Sequence, residues 1–304
     1  MMYVFLLVGF FLLIKGADYF VEASSSVAKS LRVPSIIIGL TIVAFGTSAP
    51  ELAVSVTAAL GGNNDIAVGN VIGSNLFNLL VVLGACGLIL PMKVKLRWDY
   101  LATLIVSVVL CLMIAFDLKL SRLDGILLLL MFVVFIGLTI RDALVNRIQS
   151  SEEFEVLSTG RCIVYIIGGL SAIVFGGDLV VDNASKIASS FGLSQNLIGL
   201  TIVALGTSLP ELVTSVVASR KGENGLALGN VIGSNLFNIL MVLALSATVS
   251  PITINPLSVQ DTIILIVSTI VTLILCRRKN EISRMDGVIM LLMYGAYMAF
   301  VILR

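Results

Sequence analysis

Ten consecutive residues, Gly69-Asn70-Val71-Ile72-Gly73-Ser74-Asn75-Leu76-Phe77-Asn78, recur without a change at Gly229 to Asn238, 160 residues further on. At the same offset Gly39-Leu40-Thr41-Ile42-Val43-Ala44 returns as Gly199 to Ala204. Gly46-Thr47-Ser48-Ala49-Pro50-Glu51 returns as Gly206-Thr207-Ser208-Leu209-Pro210-Glu211, Asp18 as Asp178, and Pro91 as Pro251. Near the end of each copy, Ser121-Arg122-Leu123-Asp124-Gly125 is echoed by Ser283-Arg284-Met285-Asp286-Gly287. Chance does not produce such agreement. The chain is a duplicated unit, and its fold must accommodate one plan twice.

Composition decides what medium that plan is written for. Of 304 residues, 58% are apolar and 12% charged, with a mean hydropathy of +1.11. Soluble domains are not built this way, so the expectation is an all-α polytopic membrane protein. Apolar runs and their breaks predict ten spans, near 2–28, 34–60, 66–91, 98–116, 122–145, 160–186, 194–219, 225–250, 257–276 and 283–303. No Lys or Arg precedes Lys15 and the apolar run starts at once, so the first run reads as a retained helix. The first repeat is placed at 1–148, a short cytoplasmic linker at 149–159 and the second repeat at 160–304.

Five spans per repeat is an odd number, so the two copies enter the membrane in opposite senses. Inverted repeats put a site at the midplane, where broken helices of the two halves meet. With the N-terminus outside, the inner loops and helix ends collect fourteen Lys and Arg residues and the outer ones four. That ratio places both termini outside the cell membrane and the linker inside. A net charge of +1 points to no partner, and no basic or aromatic-basic face is present for nucleic acid. The four cysteines stand singly in apolar segments and read as small buried hydrophobes.

A carboxylate within an apolar span is costly and asks for a partner. Glu51 and Glu211 each follow Gly, Thr, Ser and Pro, a run that breaks a membrane helix and bares backbone carbonyls. On a helix Thr47 and Ser48 share a face with Glu51. In the next span Asn70, Ser74 and Asn78 form a polar stripe, repeated as Asn230, Ser234 and Asn238. Gly69 and Gly73 beside it form a small-xxx-small pair that admits a neighbouring helix. Every donor atom offered is oxygen, and the chain has no histidine. Such sites suit hard cations such as Na⁺ and Ca²⁺. Two carboxylates match the charge of one Ca²⁺ or about two Na⁺. Asp18 and Asp178 lie toward the far ends of their runs, open to a solvated, capping or gating role.

Gly-Thr-Ser-x-Pro-Glu followed by Gly-Asn-x-x-Gly-Ser-Asn, twice in ten spans, resembles the cation/calcium antiporter superfamily, sodium/calcium exchanger branch. The resemblance implies one calcium site flanked by sodium sites. Its side-chain ligands would be Thr47, Ser48, Glu51, Ser74 and Asn78 with Thr207, Ser208, Glu211, Ser234 and Asn238, joined by the carbonyls of Ala44 and Ala204. It implies an antiporter of Na⁺ and Ca²⁺ that works as a monomer, without a cofactor and without enzymatic activity. Some relatives carry Asp where this chain has Asn238, which makes potassium co-transport a weaker reading. The long cytoplasmic loop of animal exchangers is absent. A Ca²⁺/H⁺ or K⁺-dependent antiporter is the near alternative. A passive channel or scaffold is more distant, and an intramembrane enzyme lacks a His or Lys base beside Ser48 or Ser208.

Overall fold

The computed structural model describes residues 1–94, 97–146, 156–191 and 204–303. They are almost wholly helical. Helix α1 runs Met2–Leu31, and a bent pair follows, α2 at Ser35–Thr47 and α3 at Ala49–Leu60. Then come α4 (Asn64–Ile89), α5 (Trp98–Asp117), α6 (Arg122–Val145) and α7 (Thr159–Ser190). After residue 203 a short turn at Ala204–Gly206 leads into α8 (Leu209–Arg220). The chain ends with α9 (Asn224–Val249), α10 (Pro256–Lys279) and α11 (Arg284–Leu303). Among the described residues eight helices are long and apolar enough to cross a membrane, or nine if the bent pair is one span. The span expected at 194–219 falls partly on residues outside those described.

Local sequence explains where the helices begin. Ser121 caps α6 by accepting from the Asp124 N–H, while Asp124 accepts from the Ser121 N–H, a closed capping box. Ser283 and Asp286 repeat both bonds ahead of α11. The glycine after each Asp is a contact point. A Cβ on Gly125 would lie 2.6 Å from Ala244 O, and one on Gly287 would lie 2.5 Å from Gly84 O. The echoed pentapeptide is thus a cap followed by a packing notch.

At 30 and 32 residues, α1 and α7 are each about 45 Å long, well beyond a hydrocarbon core of about 30 Å. They pack along one another. A Cβ on Gly9 would meet Gly176 O at 2.9 Å, and one on Gly16 would meet Gly169 O at 2.7 Å. The lower-numbered glycine of one helix faces the higher-numbered glycine of the other, so the two helices run antiparallel. Small residues permit this approach, since apolar side chains gain nothing from leaving lipid.

Among the described residues, four two-residue strands tie the loops. Strand β1 (Met92–Lys93) pairs antiparallel with β4 (Glu281–Ile282), and β2 (Lys119–Leu120) with β3 (Ile252–Thr253). Each ribbon joins a loop of the first copy to a loop of the second. Helices α4 and α9 are the most buried of the long helices. The outer helices turn Leu, Ile, Val and Phe outward, as surfaces against lipid do.

Candidate cation site

The site begins at two kinks. Between α2 and α3 the axis turns by 48°. Ser48 sits at the turn with φ −85° and ψ 8°, and Ser208 repeats it with φ −92° and ψ 5°. Pro50 and Pro210 stand two residues beyond and supply no N–H for the carbonyl four residues back, so the ladder breaks there. Glu51 and Glu211 occupy the first turns of α3 and α8, where the positive end of the helix dipole favours a carboxylate.

Among the described residues, π-helical turns at Gly39–Val43, Asn78–Val82 and Asn238–Leu243 add further irregularity. The second and third open on Asn78 and Asn238, asparagines of the predicted ligand set. Such turns widen the helix and loosen its bonding, and they concentrate at functional sites.

The hydrogen bonds cross between the copies. Ser48 donates to Glu211 Oε1 at 2.9 Å, and Ser208 donates to Glu51 Oε1 at 3.2 Å. Ser208 also approaches Ser74 Oγ at 3.0 Å, and Ser74 donates to Glu51 Oε1 at 3.4 Å. Thr47 donates to Asn230 Oδ1 at 3.1 Å, and Thr207 to Asn70 Oδ1 at 3.3 Å. Asn70 and Asn230 act as pins. Each donates to the serine hydroxyl of its own copy at 2.9 Å, Asn70 to Ser55 and Asn230 to Ser215. Each also reaches the backbone carbonyl of its own glutamate, at 3.3 and 3.5 Å.

Helix spacing places Thr47 and Ser48 beside Glu51, yet the Ser48 hydroxyl bonds to the opposite copy, and that of Thr47 is shared between Asn230 there and the Val43 carbonyl of its own helix at 3.2 Å. Thr47, Ser48, Glu51, Ser74, Asn78, Ser208, Glu211, Ser234 and Asn238 are all buried, and Thr207 is half-buried. The Ala44 carbonyl accepts the Ser48 N–H at 3.0 Å, which leaves one lone pair for another partner. Ala204 opens the short turn before the second kink. Gly229 and Gly233 admit α2 closely: a Cβ on Gly229 would lie 2.9 Å from Gly39 Cα, and one on Gly233 2.8 Å from Leu40 Cα. The repeat-equivalents of Gly39 and Leu40, residues 199 and 200, lie outside the described residues.

The decisive feature is what these groups lack. Glu51 and Glu211 are fully buried, and an ionised carboxylate there costs several kcal/mol unless it is compensated. Among the described residues the ion pairs are Lys15–Asp18, Lys221–Asp18, Arg97–Asp99 and Arg97–Asp142, and none includes either glutamate. Glu51 Oε2, Glu211 Oε2, Ser234 Oγ, Asn78 Oδ1 and Asn238 Oδ1 are buried without a hydrogen-bond partner. No described cluster of three or more His, Cys, Asp or Glu residues is present, so neutral oxygens must complete any coordination shell around the two carboxylates. Asp18 meets Lys15 and Lys221, away from these groups.

Comparison with known proteins agrees with this chemistry. The family model described as sodium/calcium exchanger protein matches residues 1–141 and 162–303.

The chain belongs to the sodium/calcium exchanger family.

Sodium/calcium exchanger MaX1 of Methanosarcina acetivorans is 33% identical, over 97% of this chain and 97% of that protein. Inner membrane protein YrbG of Escherichia coli is 38% identical, over 94% of this chain and 92% of that one. Solved structures of the sodium-calcium exchanger NCX_Mj superpose with a TM-score of 0.87 at 31% identity, covering 99% of this chain and 98% of that one. The family is one of transporters, and its member here is an integral, multi-pass membrane protein. Sequence reasoning missed Ser55, Ser215, Asn75 and Asn235, which bond around the candidate site. All four are buried, and both asparagines lie inside the repeated decapeptide, which was the available signal.

Proposed function

We propose that this exchanger moves Ca²⁺ outward by letting several Na⁺ enter, with both ions competing for the Glu51/Glu211 pocket. Two buried carboxylates, neither ion-paired and each with an unpartnered oxygen, carry the reading. A cation from solution is the compensation they need. Occupancy by one species excludes the other, so exchange follows from one site shown alternately to each side. Thr47, Ser48, Ser74, Asn78, Thr207, Ser208, Ser234 and Asn238, with the Ala44 and Ala204 carbonyls, complete the shell. That many neutral oxygens around two carboxylates suits a dehydrated Na⁺ better than a proton.

The architecture proposed is ten spans in two inverted repeats, 1–148 and 160–304, joined by a cytoplasmic linker at 149–159, with both termini outside the cell membrane. The antiparallel contact of α1 with α7 and the bonds that cross between copies support it. One chain supplies both halves of the site, so a monomer suffices. Helices α1 and α7, unbroken and in contact through glycine, are the elements proposed to slide past the core.

Ca²⁺ uptake into Na⁺-loaded vesicles tests the reading, with outward gradients of Na⁺, K⁺ and H⁺ imposed separately. The Na⁺ gradient alone, at equal pH and without K⁺, is expected to drive uptake. Uptake that ignores Na⁺ and follows a pH gradient would overturn the sodium reading.

A further inference from the structure

Asn75 and Asn235 are buried and meet across the two copies. Asn75 Nδ2 donates to Asn235 O at 3.1 Å, and Asn235 Nδ2 donates to Asn75 O at 3.2 Å. A backbone carbonyl only accepts, so the atom each asparagine presents to it must be the NH₂ group. The amide orientation of both residues is therefore forced, with each Oδ1 on the other side. Asn75 Oδ1 accepts from Asn238 Nδ2 at 3.1 Å. The same polarity carries over to the next amide. Asn238 must turn its NH₂ to Asn75, which leaves Asn238 Oδ1 buried and without a hydrogen-bond partner.

The corresponding trio in the other copy is not closed. Asn235 Oδ1 and both amide atoms of Asn78 have no hydrogen-bond partner. One asparagine of the predicted ligand set is thus held and its repeat-mate is free. A held amide offers an oxygen at a fixed place. A free one rotates, and its NH₂ hydrogens repel a cation in part of its orientations.

We propose that Asn75 is a positioning residue for cation binding, acting through Asn238 by fixing the amide with its oxygen available to Na⁺. The proposal rests on the placement of Asn238 in the exchange site. Asn75 touches no ion itself. Its effect lies in the share of time that Asn238 spends as an acceptor, so it alters the Na⁺ concentration needed and not the maximal rate.

The test is Na⁺-dependent Ca²⁺ uptake by the full chain in vesicles, with Na⁺ titrated for Asn75→Ala, Asn238→Ala and the double variant. Asn75→Ala is expected to raise half-saturating Na⁺ by about threefold to tenfold, the effect of losing one hydrogen bond of about 1 kcal/mol, with maximal rate nearly kept. The double variant is expected to match Asn238→Ala alone, because no amide remains to orient. Asn75→Leu, with the same branching of heavy atoms, carries the same expectation as Asn75→Ala should the latter fail to insert. Additive effects in the double variant overturn the proposal, as does a fall in maximal rate with half-saturating Na⁺ unchanged. If Asn238→Ala leaves the Na⁺ titration untouched, the assignment of Asn238 to the site falls and the proposal with it. A shift for Asn238→Ala with none for Asn75→Ala removes only the orienting role.

Discussion

Ser48 donates its hydroxyl proton to Glu211 Oε1 at 2.9 Å, although Glu51 lies only three residues away in its own helix. Ser208 returns the favour to Glu51 Oε1 at 3.2 Å. Each carboxylate therefore carries one oxygen steadied by the opposite copy and one oxygen without a partner.

That division of labour makes the glutamates the least replaceable residues of the chain. Glu51→Gln and Glu211→Gln are each expected to lower Ca²⁺ exchange by about 100-fold or more, since losing one partner of a buried charge interaction costs about 3 kcal/mol. Both variants should elute as folded protein in detergent. Exchange near the parental rate in either one would remove the pocket from the mechanism.

The asparagine pins are expected to matter for stability. Asn230 is fully buried and bonds to Ser215, to the Glu211 carbonyl and to Thr47. Asn230→Ala leaves several of these groups unsatisfied and should cost about 2–3 kcal/mol. Asn70 is only part-buried, so water can replace some of its bonds and Asn70→Ala should cost less. Thermal unfolding of the two variants in one detergent decides the matter; an equal loss would show that burial is not what sets the difference.

Sidedness is read by labelling. With native cysteines replaced, Asn63→Cys is expected to react with a membrane-impermeant thiol reagent on intact cells. Ser151→Cys should react only after the cells are opened. The opposite pattern would reverse the orientation deduced from Lys and Arg placement.

The glycine contact between α1 and α7 gives a kinetic prediction. A Cβ on Gly16 would stand 2.7 Å from Gly169 O, so Gly16→Val forces the helices apart or holds them in one register. Overpacking of this kind costs about 1–3 kcal/mol. Maximal exchange rate should fall while half-saturating Ca²⁺ stays near the parental value. A change confined to Ca²⁺ affinity would argue that α1 and α7 are part of the binding site and not the moving pair.

The sequence made the kinks legible because Pro50 and Pro210 act locally, and it made Glu51 and Glu211 legible because a carboxylate in an apolar run needs a reason. It did not reveal which copy each hydroxyl would bond to. Ser48 and Glu51 are neighbours on a regular helix, but Ser48 sits where the helix turns, and the turn sends its hydroxyl elsewhere. Asn75 stayed hidden for a related reason. It lies one residue past Ser74, about 100° round the helix from the polar stripe, where an amide reads as glue between helices. Its meaning arises only when the second copy brings Asn235 and Asn238 against it. The π-turns at Asn78 and Asn238 are likewise invisible to a count at a period of 3.6, because they change the period itself.

The two strand ribbons have a mechanical consequence. They stitch the loop after α4 to the one after α10, and the loop after α5 to the one after α9. Both seams join one copy to the other, so helices α4 to α6 and α9 to α11 form a braced frame whose halves are fastened at their ends. Among the described residues no strand borders α1 or α7. A frame laced in this way resists being pulled open down its middle like a clamshell. Two long rods lie outside that lacing, α1 held instead by the Asp18–Lys221 ion pair, and the sliding proposed for them would run lengthwise like a bolt while the frame stays shut.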